Sequence, residues 1–237
     1  MTTLIQKIEN IDWEKITEDM HRNGYAIIPN LIDNRSCEEL KTGYEKTGVY
    51  RKRVIMERHR FGLGEYKYFD YPLPDIIQDI RTNIYPYLAP IANTWFKALQ
   101  IDKQFPLVHK ELLSECHANE QKKATALILK YGKGGFNTLH QDLYGDVYFP
   151  IQVVLMLTQH EEDFTGGEFV LTQQIPRAQS KAIVLKPNKG DLLIFTTNFK
   201  PEKGTKGYYR VNMKHGVSEV KNGNRYTLGI IFHDALN

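Results

Sequence analysis

His140-Gln141-Asp142 places an imidazole and a carboxylate two positions apart, a spacing that in extended backbone turns both side chains to the same side. A second imidazole, His215, lies where Val211, Met213, His215 and Val217 would share one face of a strand as an apolar wall. Two histidines and one carboxylate on one face of a metal leave coordination positions open, the arrangement used by non-haem Fe(II) oxygenases. Open positions require a chelating co-substrate, and its far end requires an anchor. Arg225 and Thr227 alternate onto one face, so a guanidinium and a hydroxyl can hold a carboxylate together, and Gly229 on that face leaves room.

Taken singly these residues say little. An HxD triplet is commonly two surface polar residues, a lone histidine a satisfied core residue, and a lone arginine a surface charge. The complete set in order carries the site. Other groups carry less: His160 precedes an acidic run and reads as exposed, His233-Asp234 imitates part of a metal motif but follows the last strand, and Asp146 reads as a solvated loop residue.

These side chains need strands beneath them, and the second half of the chain supplies them. Residues 124–131, 151–157, 168–172, 182–185, 191–196, 209–215 and 226–232 read as strands, separated by glycine- and asparagine-rich turns such as Gly132-Lys133-Gly134-Gly135 and Asn222-Gly223-Asn224. Many short strands so spaced favour a sandwich or barrel. Residues 1–123 read as mainly helical. Asp12 caps a first helix that ends at Asn23-Gly24, a short strand covers 25–28, and a further helix starts at Asp33 or at the Ser36-x-x-Glu39 capping box. Residues 51–69 read as irregular. Apolar residues from Ile76 to Leu99 recur at helical spacing, with Trp95 and Phe96 as core, and Pro86 and Pro90 should break or kink that helix.

The motifs together resemble the 2-oxoglutarate/Fe(II) dioxygenases, in particular their prolyl 4-hydroxylase-like branch. The resemblance rests on His140-x-Asp142, Gly166-Gly167-Glu168, residues 190–195, His215-Gly216-Val217 and Arg225-Tyr226-Thr227, in the family's order over residues 124–235, with a similar lead-in at 24–29. It implies a double-stranded β-helix, a cupin-like jelly roll, formed by 124–237 with the helices of 1–123 packed on it in one domain. It also implies Fe(II) at His140, Asp142 and His215, with Arg225 and Thr227 on the distal carboxylate of 2-oxoglutarate and Tyr131 as a further co-substrate contact. O2 would be consumed, with ascorbate as a reductant. The expected reaction decarboxylates 2-oxoglutarate to succinate and CO2 and hydroxylates an unactivated C–H bond. Retention of Asp142 favours hydroxylation over halogenation, because related halogenases lack the carboxylate.

The resemblance makes a prolyl residue of a peptide or protein the first substrate, with a free amino acid or other small metabolite as alternative. A jelly-roll sensor without turnover is the alternative of another class. Two segments border the site in sequence and are candidates for substrate contact, 50–69 and 200–210. A net charge of +3, dispersed along the chain, argues against nucleic acid. Two separated cysteines suggest reduced thiols. No apolar run is long enough for a membrane span and the first residues lack a signal-like stretch, so the expected setting is cytoplasmic.

Overall fold

The computed structural model describes residues 2–142 and 145–236. Helix α1 (Leu4–Glu9) starts at a Thr3/Gln6 capping box, and α2 (Trp13–Asn23) at Asp12, which accepts from the Lys15 backbone N–H at 3.0 Å. Gly24 ends α2 at φ +78°, a conformation that favours glycine, and β1 (Tyr25–Ile28) follows. Asp33, rather than Ser36, caps α3 (Asn34–Thr42), accepting from Ser36 N–H at 2.8 Å.

Residues 51–69 are not irregular. They contain β2 (Tyr50–Ile55), β3 (Gly62–Leu63) and β4 (Glu65–Phe69). The next helix, α4 (Asp75–Ala98), runs as one 24-residue element through Pro86 and Pro90. Both prolines are exposed, so the carbonyls left without amide partners four residues earlier turn to water, and the apolar face bearing Ile80, Ile84, Leu88, Ile91 and Trp95 stays buried. Helix α5 (His109–Ala118) completes the helical layer.

The remaining strands are β5 (Leu127–Tyr131), β6 (Phe136–His140), β7 (Ile151–Met156), β8 (Phe164–Gly166), β9 (Phe169–Gln174), β10 (Lys181–Leu185), β11 (Leu192–Thr196), β12 (Phe199–Gly204), β13 (Gly207–Val217), β14 (Val220–Gly223) and β15 (Arg225–Ile230). A seven-stranded antiparallel sheet has the order β1-β11-β7-β15-β5-β4-β2. It faces a second sheet, β10-β9-β13-β6-β3, to which β12 adds through β13. This is the expected jelly roll, with one correction: its larger sheet recruits strands from the first 123 residues at both edges.

Alternation along the strands divides the interior in two. One face of the large sheet, with Ile128, Val153, Leu155, Ile194, Leu228 and Ile230, packs on the helices. Val154, Met156, Leu193 and Phe195 point the other way, against Leu171, Val211 and Met213 of the second sheet. Every residue of β7 is therefore buried. Among the described residues no helix is long and apolar enough to cross a membrane.

Candidate metal and co-substrate site

His140 and His215 are register partners on adjacent strands β6 and β13, and their ring centroids lie 4.2 Å apart. Asp142 lies just beyond β6. Its carboxylate oxygens stand 3.5 Å from His140 Nε2 and 3.4 Å from His215 Nε2, and one donor atom from each residue falls within 4.8 Å of the others. The Nδ1–H of His140 donates to the Thr138 carbonyl at 2.7 Å, which leaves Nε2 with its lone pair towards the cluster. Phe195 and Phe169 flank the His215 ring at 4.7 and 6.0 Å.

Burial and the neighbouring His215 hold the His140 imidazole below its ordinary pKa, partly offset by Asp142. Burial pushes the Asp142 carboxyl up, but the hydrogen bond and charge of His215, with His140 and Gln152, outweigh it and leave Asp142 below the usual carboxylate range. Two imidazoles and one carboxylate converging here form a donor set suited to a divalent first-row metal.

The second half of the site lies on β15 and β5, where Arg225 pairs in register with Tyr131, and Thr227 with Leu129. Arg225 is 1% exposed. Its Nη1 donates to Thr227 Oγ1 at 3.4 Å, its guanidinium stands 5.5 Å from the Tyr131 ring centroid, and its Nε has no acceptor. Burial lowers its pKa to about 10, with Tyr131 and Glu168 pulling the other way, so it stays charged at neutral pH. No carboxylate pairs with it among the described residues. The Tyr131 hydroxyl is likewise buried, and burial raises its pKa to about 12, with Arg225 and Asn137 pulling the other way.

One cavity of about 150 Å³ is lined by His140, Asp142, His215, Arg225, Thr227 and Tyr131 together. All six residues singled out from the sequence thus meet in one place. The lining also draws on the 50–69 segment, which the sequence offered as a candidate for substrate contact, and on Gln152, which the sequence reading missed. Tyr66 and Tyr68 project from β4 into the cavity with their rings at 89°, and Arg51 lies 4.6 Å over the Tyr68 ring. Gln152 of β7 reaches Asp142. Their period-two spacing on β4 turns both tyrosines to this side.

The 200–210 segment behaves differently. It forms the β12–β13 hairpin, and none of its residues lines the cavity. Proximity in sequence misleads here because Tyr208 and His215 are seven residues apart on one extended strand, roughly 24 Å of rise. His160 is buried, not exposed, against the Phe164 ring with Glu161 and Glu168 beside it. His233 accepts the Phe149 N–H on Nδ1, and Asp234 forms a fully buried ion pair with Arg81 at 2.7 Å, so both serve the framework. Asp146 is exposed, as expected.

Comparison with known proteins adds an independent line. The family model Oxygenase-NA, described as "Oxygenase, catalysing oxidative methylation of damaged DNA", matches residues 64–235. Two Mycobacterium tuberculosis proteins, each named only as uncharacterized, are 40% identical over 192 residues, 79% of this chain and 82% of theirs. Among solved structures, a Trichoplax adhaerens prolyl hydroxylase in complex with a hypoxia inducible factor peptide superposes with a TM-score of 0.56 at 16% identity, covering 98% of this chain and 92% of that one. A Burkholderia pseudomallei oxidoreductase of the 2OG-Fe(II) oxygenase family gives 0.54 at 12%, covering 96% and 94%. A Pseudomonas putida prolyl-4-hydroxylase gives 0.51 at 13%, covering 92% and 97%. At such identities these structures share the fold.

Proposed function

The chain belongs to the Oxygenase-NA family and is a 2-oxoglutarate-dependent Fe(II) oxygenase; on that premise we propose that it oxidises an alkyl C–H bond on a nucleobase, with His140, Asp142 and His215 as iron ligands and Arg225, Thr227 and Tyr131 as the co-substrate anchor. The observation that carries the site reading is a buried guanidinium without an anion, facing the same cavity as an N,N,O donor cluster. Leaving a charge so desolvated is costly, and a dicarboxylate relieves that cost.

The donor set fits Fe(II): two imidazole nitrogens and one carboxylate oxygen converge, with the remaining sides open to the cavity. The chemistry iron supplies when bound is O2 activation coupled to decarboxylation of 2-oxoglutarate to succinate and CO2. The residues of this chain do the rest. Arg225 and Thr227 bind the distal carboxylate by charge-assisted hydrogen bonds, and Tyr131 donates from the opposite strand. Thr138 fixes the His140 tautomer. Phe169, Phe195 and Val217 keep water away from the His215 side.

The substrate reading is supported by the family description and by the cavity mouth. Arg58 and Arg60, both exposed and without ion-pair partners among the described residues, flank His59, whose ring stacks on Phe61 at 5.3 Å. Phe61 is 40% exposed yet lines the cavity. Cations beside exposed rings suit a phosphate backbone and unstacked bases. Linear charge counting set nucleic acid aside, whereas Arg58 and Arg60 sit next in the chain to Phe61, which lines the cavity. The prolyl reading rests on fold likeness alone.

The test is succinate formation from 2-oxoglutarate with Fe(II), O2 and ascorbate, against methylated single-stranded oligonucleotides, proline peptides and free amino acids. Turnover should rise with the methylated oligonucleotide and fall by two orders of magnitude or more in Asp142→Ala. Stimulation by a peptide alone would move the substrate to protein. Absence of 2-oxoglutarate consumption and binding in the wild type would sink the enzyme reading.

A further inference from the structure

Gln141 stands between two of the proposed ligands and does not line the cavity. Its Nε2 donates to the Met213 carbonyl at 2.9 Å, the Asn198 carbonyl at 2.7 Å and Asn198 Oδ1 at 3.0 Å. Asn198 occupies the turn between β11 and β12, and its carbonyl also accepts the Met213 N–H at 2.7 Å. Met213 precedes His215 by two residues on β13. A single amide group therefore ties the segment bearing His140 and Asp142 to the strand bearing His215.

The backbone supplies that tie only as far as His140, the register partner of His215. Strand β6 ends at His140, and its ladder with β13 shifts register between the His215↔His140 and Val217↔Asn137 pairs. Asp142 lies outside any strand, so no ladder bond fixes it relative to His215. We infer that Gln141 is a positioning residue that takes over where the ladder stops, holding the His140–Asp142 segment against β13 so that three donor atoms stay converged. This rests on the reading of those three residues as metal ligands. Partners behind a ligand set of this kind commonly change metal affinity by about 10–100-fold.

Co(II), with its visible absorption bands, is the probe. Wild type, Gln141→Met and Gln141→Asn are titrated with Co(II), and the melting temperature of each metal-free protein is measured in parallel. Met keeps the length without donors, and Asn keeps the amide one methylene short of its three acceptors. The expected result is a loss of Co(II) affinity of about 10–100-fold in both variants, with altered band shape, while the metal-free proteins remain folded at the assay temperature. Affinity within fivefold of wild type in a folded variant overturns the inference, as does a loss seen only where the metal-free variant is itself unfolded. A wild type that binds no Co(II), with His140→Ala indistinguishable from it, overturns the ligand reading itself.

Discussion

At Arg225 the folded chain holds a guanidinium at 1% exposure with a hydroxyl, a thioether and a tyrosine ring for company. The energetic consequence is directional. Binding a carboxylate at this point returns what desolvation took, so 2-oxoglutarate should stabilise the protein even before any turnover. At a concentration 100 times its Kd the gain is about 2.7 kcal/mol, which at this chain length raises Tm by roughly 5–10 °C. Arg225→Met should abolish that rise. It should also leave the ligand-free protein as stable as wild type or more so, by on the order of 1 kcal/mol, because a buried unpaired charge has been replaced by an apolar chain of similar length. Differential scanning fluorimetry with and without 2-oxoglutarate checks both. A ligand-induced rise that survives in Arg225→Met would remove Arg225 from the anchor. At this scale the sequence was readily legible. Ligation and carboxylate capture restrict residue type tightly, so the proposed set His140, Asp142, His215, Arg225 and Thr227 stands out by identity, and period two adds a shared facing to residues two apart.

The β2–β4 segment brings substrate contact to the level of whole elements. Phe61, next in the chain to the exposed Arg58, His59 and Arg60, lines the cavity, and β4 sends Tyr66 and Tyr68 into it. If a nucleic-acid strand lies across this mouth, the Arg58→Ala/Arg60→Ala double variant should flatten the salt dependence of oligonucleotide binding by about 1.4 in log–log slope, from two lost phosphate contacts on a single strand. Phe61→Ala should weaken binding by about 1–3 kcal/mol, the worth of one stacked base. Uncoupled 2-oxoglutarate turnover should be unchanged in both. An unaltered salt slope would take the strand elsewhere. These strands were hard to read for a physical reason. Burial here is achieved by rings and aliphatic stems rather than by Val and Ile: Arg51 covers Tyr68, and Lys67 sits 4.0 Å from the Tyr44 ring centroid. A strand half-covered by arginine and lysine looks polar and irregular when only its letters are scored. The unbroken helix through Pro86 and Pro90, where a break was one of two expected outcomes, has the same root. Proline's cost depends on whether the carbonyl it orphans faces water, and single-sequence patterning did not weigh that against the strength of the apolar face on α4.

Across the molecule, the helical layer and the end of the chain are joined to the jelly roll by buried polar groups, and two of them make stability depend on pH. His109 Nε2–H donates to the Phe232 carbonyl at 2.8 Å. His233 uses Nδ1 to accept the Phe149 N–H at 3.0 Å, a bond that protonation at that nitrogen would destroy. Burial first, and then the Arg81 guanidinium, lowers both imidazoles to about 4. In the unfolded chain each returns to about 6.5. Between those values the unfolded state binds protons that the folded state refuses, so stability is complete above about pH 6.5 and falls as pH drops towards 4. With both histidines contributing, the slope approaches about 2.7 kcal/mol per pH unit in the middle of that window. Urea midpoints measured at pH 7, 6 and 5 should therefore decline steeply. His233→Asn keeps an acceptor close to the position of Nδ1 but does not titrate, and should roughly halve the slope while remaining folded at pH 7. The loss should reach the active cavity, because Arg81 Nε also donates to the carbonyl of Ile231, which lines it. An unchanged slope in His233→Asn would mean that the acid sensitivity of the fold resides in other groups.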